Sequence, residues 1–492
     1  MPALFPALRE TPSRTALRFG TRSLTYGELD EASSVLAQRL HGAERVALWA
    51  TPTLHTAVAT VAALRAGVPV VPLNPEAGVR ELEHVLHDSR PVTVLAAPGA
   101  DLPPGPDALP RTTVALSAPP GRGEAPTPEH APGPEAPALI VYTSGTTGPP
   151  KGAVIPRRAV THTLDALATA WRWTAEDVLV HALPLFHVHG LVLGILGPLR
   201  RGGTVHHLGR FDVSAVGREL AGGATMFFGV PTMYHRLADA VGGDPELARS
   251  LGGARLLVSG SAALPLRDHQ RILEATGRRV VERYGMTETL MNTSERVAVE
   301  EGSGTAGPSR PGTVGVPLDG VELRLVDEEE QPLAGADTGS VGEVQVRSPS
   351  LFTEYLGRPG ATAAAFTSDG WFRTGDMATR DAEGAVTLVG RRSTDLIKSG
   401  GYKIGAGEIE NALMEHPGVA DAAVTGEPDP DLGERVVAWI VPVDPGSPPG
   451  EADLAGHVAG LLAPYKRPRR VRHVPSLPRN AMGKIRKQAL GA

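Results

Sequence analysis

The first hundred residues alternate between short apolar runs of strand length and longer stretches with helical spacing. "ERVALWA" (44–50) has the continuous apolar character of a buried strand, and "LHTAVATVAALRAG" (54–67) follows as a helix that Gly67 stops. "VPVVPL" (68–73) is a second strand, "VRELEHVLHDS" (79–89) a second helix and "VTVLAA" (92–97) a third strand. That order, βαβαβ, predicts a parallel sheet with helices on its faces. Residues 98–137 are rich in Pro, Gly and Ala, with only "TTVALS" (112–117) strand-like, and predict a surface excursion. "ALIVY" (138–142) is again a buried strand. After about residue 320 the runs "VELRLVD" (321–327), "GEVQVRS" (342–348) and "AVTLVG" (385–390) alternate between turn residues and predict a small β subdomain. The polar, Gly-rich "GRRSTDLIKSGGYKIG" (390–405) leads into a helix in "AGEIENALMEH" (406–416), and the rest of the chain mixes strands and helices. The fold class is α/β: a large N-terminal domain over 1–390, a hinge at 391–394 and a smaller α+β domain over 395–492.

Length and composition narrow the function classes. At 492 residues the chain is too long for one ordinary core. Its net charge of −6 offers no general attraction to nucleic acid or to an anionic membrane surface. It has no cysteine, which excludes disulfides, zinc–thiolate sites and a thiol nucleophile. No run approaches the roughly 18 apolar residues of a membrane span, and "MPALFPALRE" has no secretory pattern; a cytoplasmic protein is expected.

Of the 48 basic residues, six are lysine: Lys151, Lys398, Lys403, Lys466, Lys484 and Lys487. In a chain that defaults to arginine, each lysine marks a place where a compact point charge is wanted. Lys151 closes "YTSGTTGPPKG" (142–152), which follows a buried strand directly. Hydroxyls and glycines there can surround an anion with backbone N–H groups, and Lys151 can neutralise a phosphate. The spacing is not that of a Walker loop, because Gly152 stands where Ser or Thr should hold Mg²⁺.

Four further segments carry chemistry: "ERYGMTET" (282–289), "WFRTGD" (371–376), the 390–410 stretch and "PRNAMGKIR" (478–486). With "YTSGTTGPPKG" they resemble, in order, the core motifs of the AMP-forming acyl-adenylating family of acyl-CoA synthetases, peptide adenylation domains and luciferases. The resemblance implies an acyl-adenylate made from ATP, then transfer to a thiol, with a small C-terminal domain that rotates between the two steps. It implies that Thr143, Ser144, Gly145, Thr146, Thr147 and Lys151 hold the β- and γ-phosphates. Tyr284 would stack on adenine, with Glu282, Gly285 and Met286 counted in the same nucleotide site. Thr287 would bond the α-phosphate and Glu288 would bind Mg²⁺. Asp376 and Arg391 would take the ribose, Gly260, Ser261 and Ala262 would line the adenine and acyl pockets, and His187 would stand at the acyl entrance. Lys484 would be the catalytic lysine of adenylation. Lys398, Ser399, Gly400, Gly401, Lys466 and Arg467 would meet coenzyme A, although a surface role is equally open for Lys466 and Lys487. The hinge position is Ser393, where relatives commonly carry Asp or Lys.

Two arginines bear on the acid. Arg283 stands where relatives often have a small residue. In "VPTMYHRLADAV" (230–241), Met233, Leu237 and Ala240 predict an apolar stripe that also contains Arg236. A charge on such a stripe must be paired, snorkel to the edge or serve a ligand. The pairing of "GVPTMYHRL" with "ERYGMTE" resembles malonyl-CoA synthetases, which implies malonate or methylmalonate as the acid. Ligation of another short acid and loading of a carrier protein remain alternatives, the latter disfavoured by His187 where an amino-acid-binding Asp is usual. "PRNAMGK", ending on Lys484, also resembles the stretch that protein lysine acetyltransferases modify.

Overall fold

A computed structural model describes residues 4–117, 132–143, 149–297, 312–333, 340–392, 395–400, 402–480 and 483–490. The βαβαβ expectation is borne out: Val46–Trp49, Leu54–Ala66, Val70–Leu73, Val79–Ser89 and Val94–Ala96 follow one another, and the three strands pair in parallel. Among the described residues they belong to a seven-stranded sheet ordered Glu354–Tyr355, Lys151–Pro156, Pro137–Thr143, Val70–Leu73, Val46–Trp49, Val94–Ala96, Arg111–Thr113. A second, nine-stranded sheet has a parallel centre of Val280–Tyr284, Leu256–Ser259, Met226–Gly229, Val178–His181, Thr204–His207 and Thr15–Phe19.

The helix Leu54–Ala66 explains how the two sheets stack. It is apolar all round, and every residue from Thr56 to Leu64 is buried. It packs on Thr15–Phe19 and Arg22–Thr25 of one sheet and on Val46–Trp49, Val70–Leu73 and Val94–Ala96 of the other. Its two buried threonines turn their hydroxyls onto chain carbonyls, Thr56 to Thr51 at 2.5 Å and Thr60 to Thr56 at 2.8 Å, so neither hydroxyl is stranded. Gly67 ends it in the left-handed conformation, φ 73°.

The predicted β subdomain is a four-stranded antiparallel sheet of Glu322–Val326, Gly342–Arg347, Phe372–Arg380 and Val386–Arg391. A further sheet lies wholly after residue 395. The hairpin Leu396–Ser399 with Tyr402–Gly405 joins Val419–Asp429, Gly433–Pro442 and Arg470–His473, with the helices Ala406–Met414 and Glu451–Leu461. Ile397, Ile404, Ile409, Leu413, Val424 and Ile440 are among the side chains of its own core. Among the described residues, no helix is long and apolar enough to cross a membrane.

Candidate active site

Parallel strands deliver functional groups at their carboxyl ends, where α/β sheets bind ligands. On the nine-stranded sheet, His181, Ser259 and Arg283–Tyr284 stand at those ends, and the turn Gly260–Ser261 and the loop from Gly285 follow. Ser261 takes φ 78°, a strained value for a residue with a Cβ.

Arg283 is 6% exposed, and its Nε and Nη2 find no hydrogen-bond partner among the described residues. Burial pushes its pKa down to about 10. The guanidinium lies against Gly260, where a Cβ would sit 2.4 Å from its central carbon, so only glycine leaves it room. His189 is also buried, neither ring nitrogen is paired, and its ring lies 6.1 Å from that of Phe228. Burial holds the His189 pKa well below its ordinary value, and the Arg283 charge adds to the effect. Ser259 Oγ and both side-chain polar atoms of Asn292 are buried and unpaired too. Such groups are costly to leave unsatisfied, so their gathering about the Arg283 strand suits contact with an anionic or polar ligand. His187 is half-buried, two residues before His189, and burial lowers its pKa to about 4. The π-helix His189–Leu196 follows, a form that recurs at functional sites.

On the other side of Arg283, Tyr284 donates to Asp376 at 2.6 Å, and the Arg391 Nε lies 2.8 Å from the same carboxylate. Asp376 and Arg391 are cross-strand partners, so the antiparallel ladder itself sets their contact. Burial raises the Asp376 pKa; Arg391, Tyr284 and Lys484 pull the other way. Glu288 is 5% exposed and accepts a 2.8 Å hydrogen bond from the Tyr355 hydroxyl. The Lys151 ammonium stands 4.9 Å from the centre of the Tyr355 ring. Tyr355 thus joins two groups singled out in the sequence. It went unmarked because it comes from Glu354–Tyr355, a two-residue strand that meets Lys151–Pro156 only in the fold. His189, likewise, was visible only as the second histidine of "HVH".

Thr143 and Lys151 face each other across a hairpin. The loop residues Ser144, Gly145, Thr146 and Thr147 lie outside the described residues. The Tyr142 hydroxyl is turned away to Asp88, at 2.7 Å, which anchors the strand leading into the loop. Thr287 and Met286 are half-buried in the turn after the Arg283 strand, and Gly285 precedes them. The Glu282 carboxylate is engaged with the Leu264 backbone N–H at 2.9 Å and with His269 at 3.1 Å, so it braces the loop beyond Ala262.

The apolar stripe expected for Pro231–Val241 is corrected. Its buried face is Tyr234, Leu237, Ala238 and Val241, with Met233 and Ala240 only half-buried and Arg236 exposed. Arg236 is not trapped in a core. It lies one turn beyond Thr232, whose Oγ1 would be 2.9 Å from a Cβ on Gly483, so this face looks towards the loop that carries Lys484. Lys484 is exposed there, its backbone N–H bonded to the Asn480 side chain at 3.0 Å.

Lys466 and Lys487 are not free surface lysines. Lys466 bonds Glu408 at 2.5 Å. Lys487 is 13% exposed and bridges Asp395 at 2.8 Å and Glu410 at 2.7 Å. Lys398 is exposed, 3.8 Å from Glu328, Ser399 is buried, and Gly400 and Arg467 are exposed. Ser393 and Gly401 lie outside the described residues. Among the described residues, no three His, Asp or Glu side chains gather to hold a metal. Glu288 is the carboxylate expected at Mg²⁺, an ion that takes one or two carboxylates plus phosphate oxygens.

Residues 4–356 match the model of the AMP-binding enzyme family, and 408–484 match the AMP-binding enzyme C-terminal domain. A malonate–CoA ligase of Arabidopsis thaliana is 41% identical over 379 residues, 72% of this chain; the match spans 60% of the relative's length. A malonyl-CoA ligase in a ternary product complex with methylmalonyl-CoA and AMP is 65% identical, with TM-score 0.74 over 96% of this chain and 100% of that one. The ATP-bound MatB of Rhodopseudomonas palustris is 34% identical, with TM-score 0.87 over 99% and 97%. The chain belongs to the AMP-binding enzyme family.

Proposed function

We propose that the chain is an ATP-dependent, AMP-forming ligase that joins malonate or methylmalonate to CoA. The observation that carries the choice of acid is Arg283, a buried cation with two unpaired nitrogens beside the unpaired His189. A fatty tail would leave that charge unsatisfied; a second carboxylate satisfies it. Arg236, exposed on the cleft face of its helix, would close over the same carboxylate from the mouth.

In the first half-reaction a carboxylate oxygen of the acid attacks the α-phosphorus of ATP, and pyrophosphate leaves. In the second, the CoA thiol loses its proton as its sulfur attacks the acyl carbon, and AMP leaves. Lys484 would stabilise the charge that develops on the phosphate oxygens in the first step. Thr143 to Thr147 and Lys151 would hold the terminal phosphates, and Thr287 the α-phosphate. The nucleoside would rest on Tyr284, Asp376 and Arg391. Glu288 would hold Mg²⁺, which supplies charge neutralisation on the phosphates. The Lys484 charge reaches Asp376, which supports an arrangement suited to adenylation. The lower TM-score against a far more similar product complex supports the same reading, since rotation of one domain lowers overall superposition without changing either unit. A cysteine-free chain suits a reducing compartment such as the cytoplasm.

The test is pyrophosphate release with malonate, methylmalonate, propionate and butyrate, in wild type and Arg283→Ala. Loss of a charge-assisted partner to a buried anion costs roughly 2–5 kcal/mol. That is about thirtyfold to several thousandfold in kcat/KM for the two diacids, with the monoacids little changed or improved. Equal loss for all four acids would make Arg283 structural.

We infer a regulatory role for the same lysine. Lys484 is exposed, next to Ile485, which bridges Arg479, and that exposure supports modification by a protein lysine acetyltransferase. Acetylation would remove the adenylation charge, and a deacylase should restore activity. Inactivated enzyme with Lys484 unmodified by mass spectrometry would refute this.

A further inference from the structure

The helix Val79–Ser89 carries His84 and Asp88 one turn apart, so both face the same neighbour. The mechanism above uses neither. Each is half-buried, and each ends on the hairpin that carries Thr143 and Lys151. Asp88 Oδ2 accepts the Tyr142 hydroxyl at 2.7 Å, one residue before Thr143. His84 Nε2 lies 2.8 Å from the Pro150 carbonyl, one residue before Lys151. A carbonyl only accepts, so Nε2 carries the hydrogen and donates it. One turn of one helix thus grips both arms of the hairpin beside the two residues that the reading above gives to the phosphates.

The same carboxylate reaches a third segment. Its Oδ1 stands 3.1 Å from Arg358 Nη2. The Arg358 backbone N–H donates to the Tyr355 carbonyl at 2.9 Å, and the Leu356 N–H donates to the Gly152 carbonyl at 2.8 Å. Tyr355 is the residue that meets Glu288 and stands beneath Lys151. A Cβ on Gly152 would lie 3.0 Å from the Tyr142 ring, so glycine lets that ring press against the residue after Lys151. A cavity of about 680 Å³ opens beside these links, lined by His84 and Asp88 on one side and by Leu356 and Gly357 on the other. Packing is interrupted there, which leaves more of the spacing to the polar links.

We propose that His84 and Asp88 are positioning residues for ATP: they hold Thr143 and Lys151 at the separation that the terminal phosphates need, and touch no substrate themselves. The proposal rests on the phosphate reading of Thr143 and Lys151 and adds what sets their geometry. Its consequence is selective. ATP has β- and γ-phosphates; AMP and the acyl-adenylate have neither. The two residues therefore govern affinity for ATP, and not AMP binding or thioester formation.

The experiment measures KM for ATP in pyrophosphate release, Kd for AMP, and the rate of thioester formation from supplied acyl-adenylate and CoA. It compares wild type with Tyr142→Phe, Asp88→Ala, His84→Ala and His84→Gln. Loss of one hydrogen bond in Tyr142→Phe or His84→Ala should raise KM for ATP roughly 3- to 10-fold; Asp88→Ala, which loses a charged partner to two segments, should raise it roughly 10- to 100-fold. His84→Gln, which keeps a donor at similar reach, should recover most of the loss. AMP affinity and thioester formation should stay at the wild-type level throughout. An unchanged KM for ATP in Asp88→Ala and Tyr142→Phe would overturn the proposal. Losses shared equally by ATP, AMP and thioester formation would overturn it too, by making the links ordinary braces of the fold. Tyr142→Phe keeps the ring and removes one oxygen, so it decides the matter should Asp88→Ala fail to fold. Lys151→Ala tests the reading beneath: if that variant binds ATP as wild type does, the phosphate reading falls first and the positioning role with it.

Discussion

At Glu288 a single hydroxyl governs how the carboxylate titrates. Burial raises its pKa, and the hydrogen bond from Tyr355 is the largest effect opposing that rise. Tyr355→Phe removes the hydroxyl and keeps the ring beneath Lys151. The Glu288 pKa should then climb further, so the acid limb of the pH–rate profile for pyrophosphate release should move to higher pH. Activity at neutral pH should fall roughly tenfold, as for a lost hydrogen bond to a charged group. An unshifted acid limb would show that Glu288 does not need its charge. His207 gives a stability counterpart. Its Nδ1 accepts from Gly209 N–H at 2.9 Å and its Nε2–H donates to Leu183 O at 3.0 Å, so the fold takes the neutral ring. Burial lowers its pKa from 6.5 to about 4. A depressed folded-state value means the contribution is complete above the unfolded value and is lost as pH falls through the folded one. Thermal denaturation should therefore show stability falling between pH 6.5 and 4, with roughly 3 kcal/mol from this residue. His207→Gln should flatten that slope; an unchanged slope would place the acid sensitivity elsewhere.

At the scale of elements, the segment carrying Lys484 is held by Lys487 three residues further on. Burial raises the Asp395 pKa, but the Lys487 charge and hydrogen bond outweigh it and the net shift is downwards. Asp395 also accepts the Arg391 backbone N–H at 3.0 Å, so one carboxylate joins the last strand of the β subdomain to the C-terminal segment. Lys487→Met leaves two half-buried acids facing each other. It should destabilise this region by roughly 3–5 kcal/mol, seen as an early thermal transition, and depress adenylation with it. A variant as stable and active as wild type would reduce the bridge to ornament. Lys487 also shows where sequence reading stops. The strands and helices from Val46 to Ala96 were legible because continuous apolar runs and Gly67 announce them, and the five motifs were legible because each is local; the elements from Ala7 to Leu40 were not read. Tyr355, Asp395 and the true face of the Arg236 helix were not. A charge bridge between residues 395, 410 and 487, or a hydroxyl reaching from 355 to 288, exists only after distant segments meet. The face of a helix is set by what packs on it, and two half-buried residues, Met233 and Ala240, suggested the wrong stripe.

At the scale of the molecule, the role proposed for Lys484 would divide the reaction in time. If it serves adenylation from the loop beside Thr232, Lys484→Ala should abolish acyl-adenylate formation by orders of magnitude. It should leave conversion of supplied acyl-adenylate and CoA to thioester almost intact, measured as AMP release. Equal loss in both halves would contradict the proposed role. The nine-stranded sheet carries a different consequence, for biosynthesis. Its strand Thr15–Phe19 pairs in parallel with Thr204–His207, and Thr204 hydrogen-bonds a carbonyl 189 residues earlier, at Thr15. On a ribosome adding about 5–20 residues per second, the N-terminal hairpin waits roughly 10–40 s for the neighbour it needs. The helix Leu54–Ala66 does not share that wait, because the strands it packs on, from Thr15–Phe19 to Val94–Ala96, are all made within the first hundred residues. The segment made first is thus among the last to be sheltered, and the growing chain depends for that interval on whatever shields nascent apolar surface in the cell.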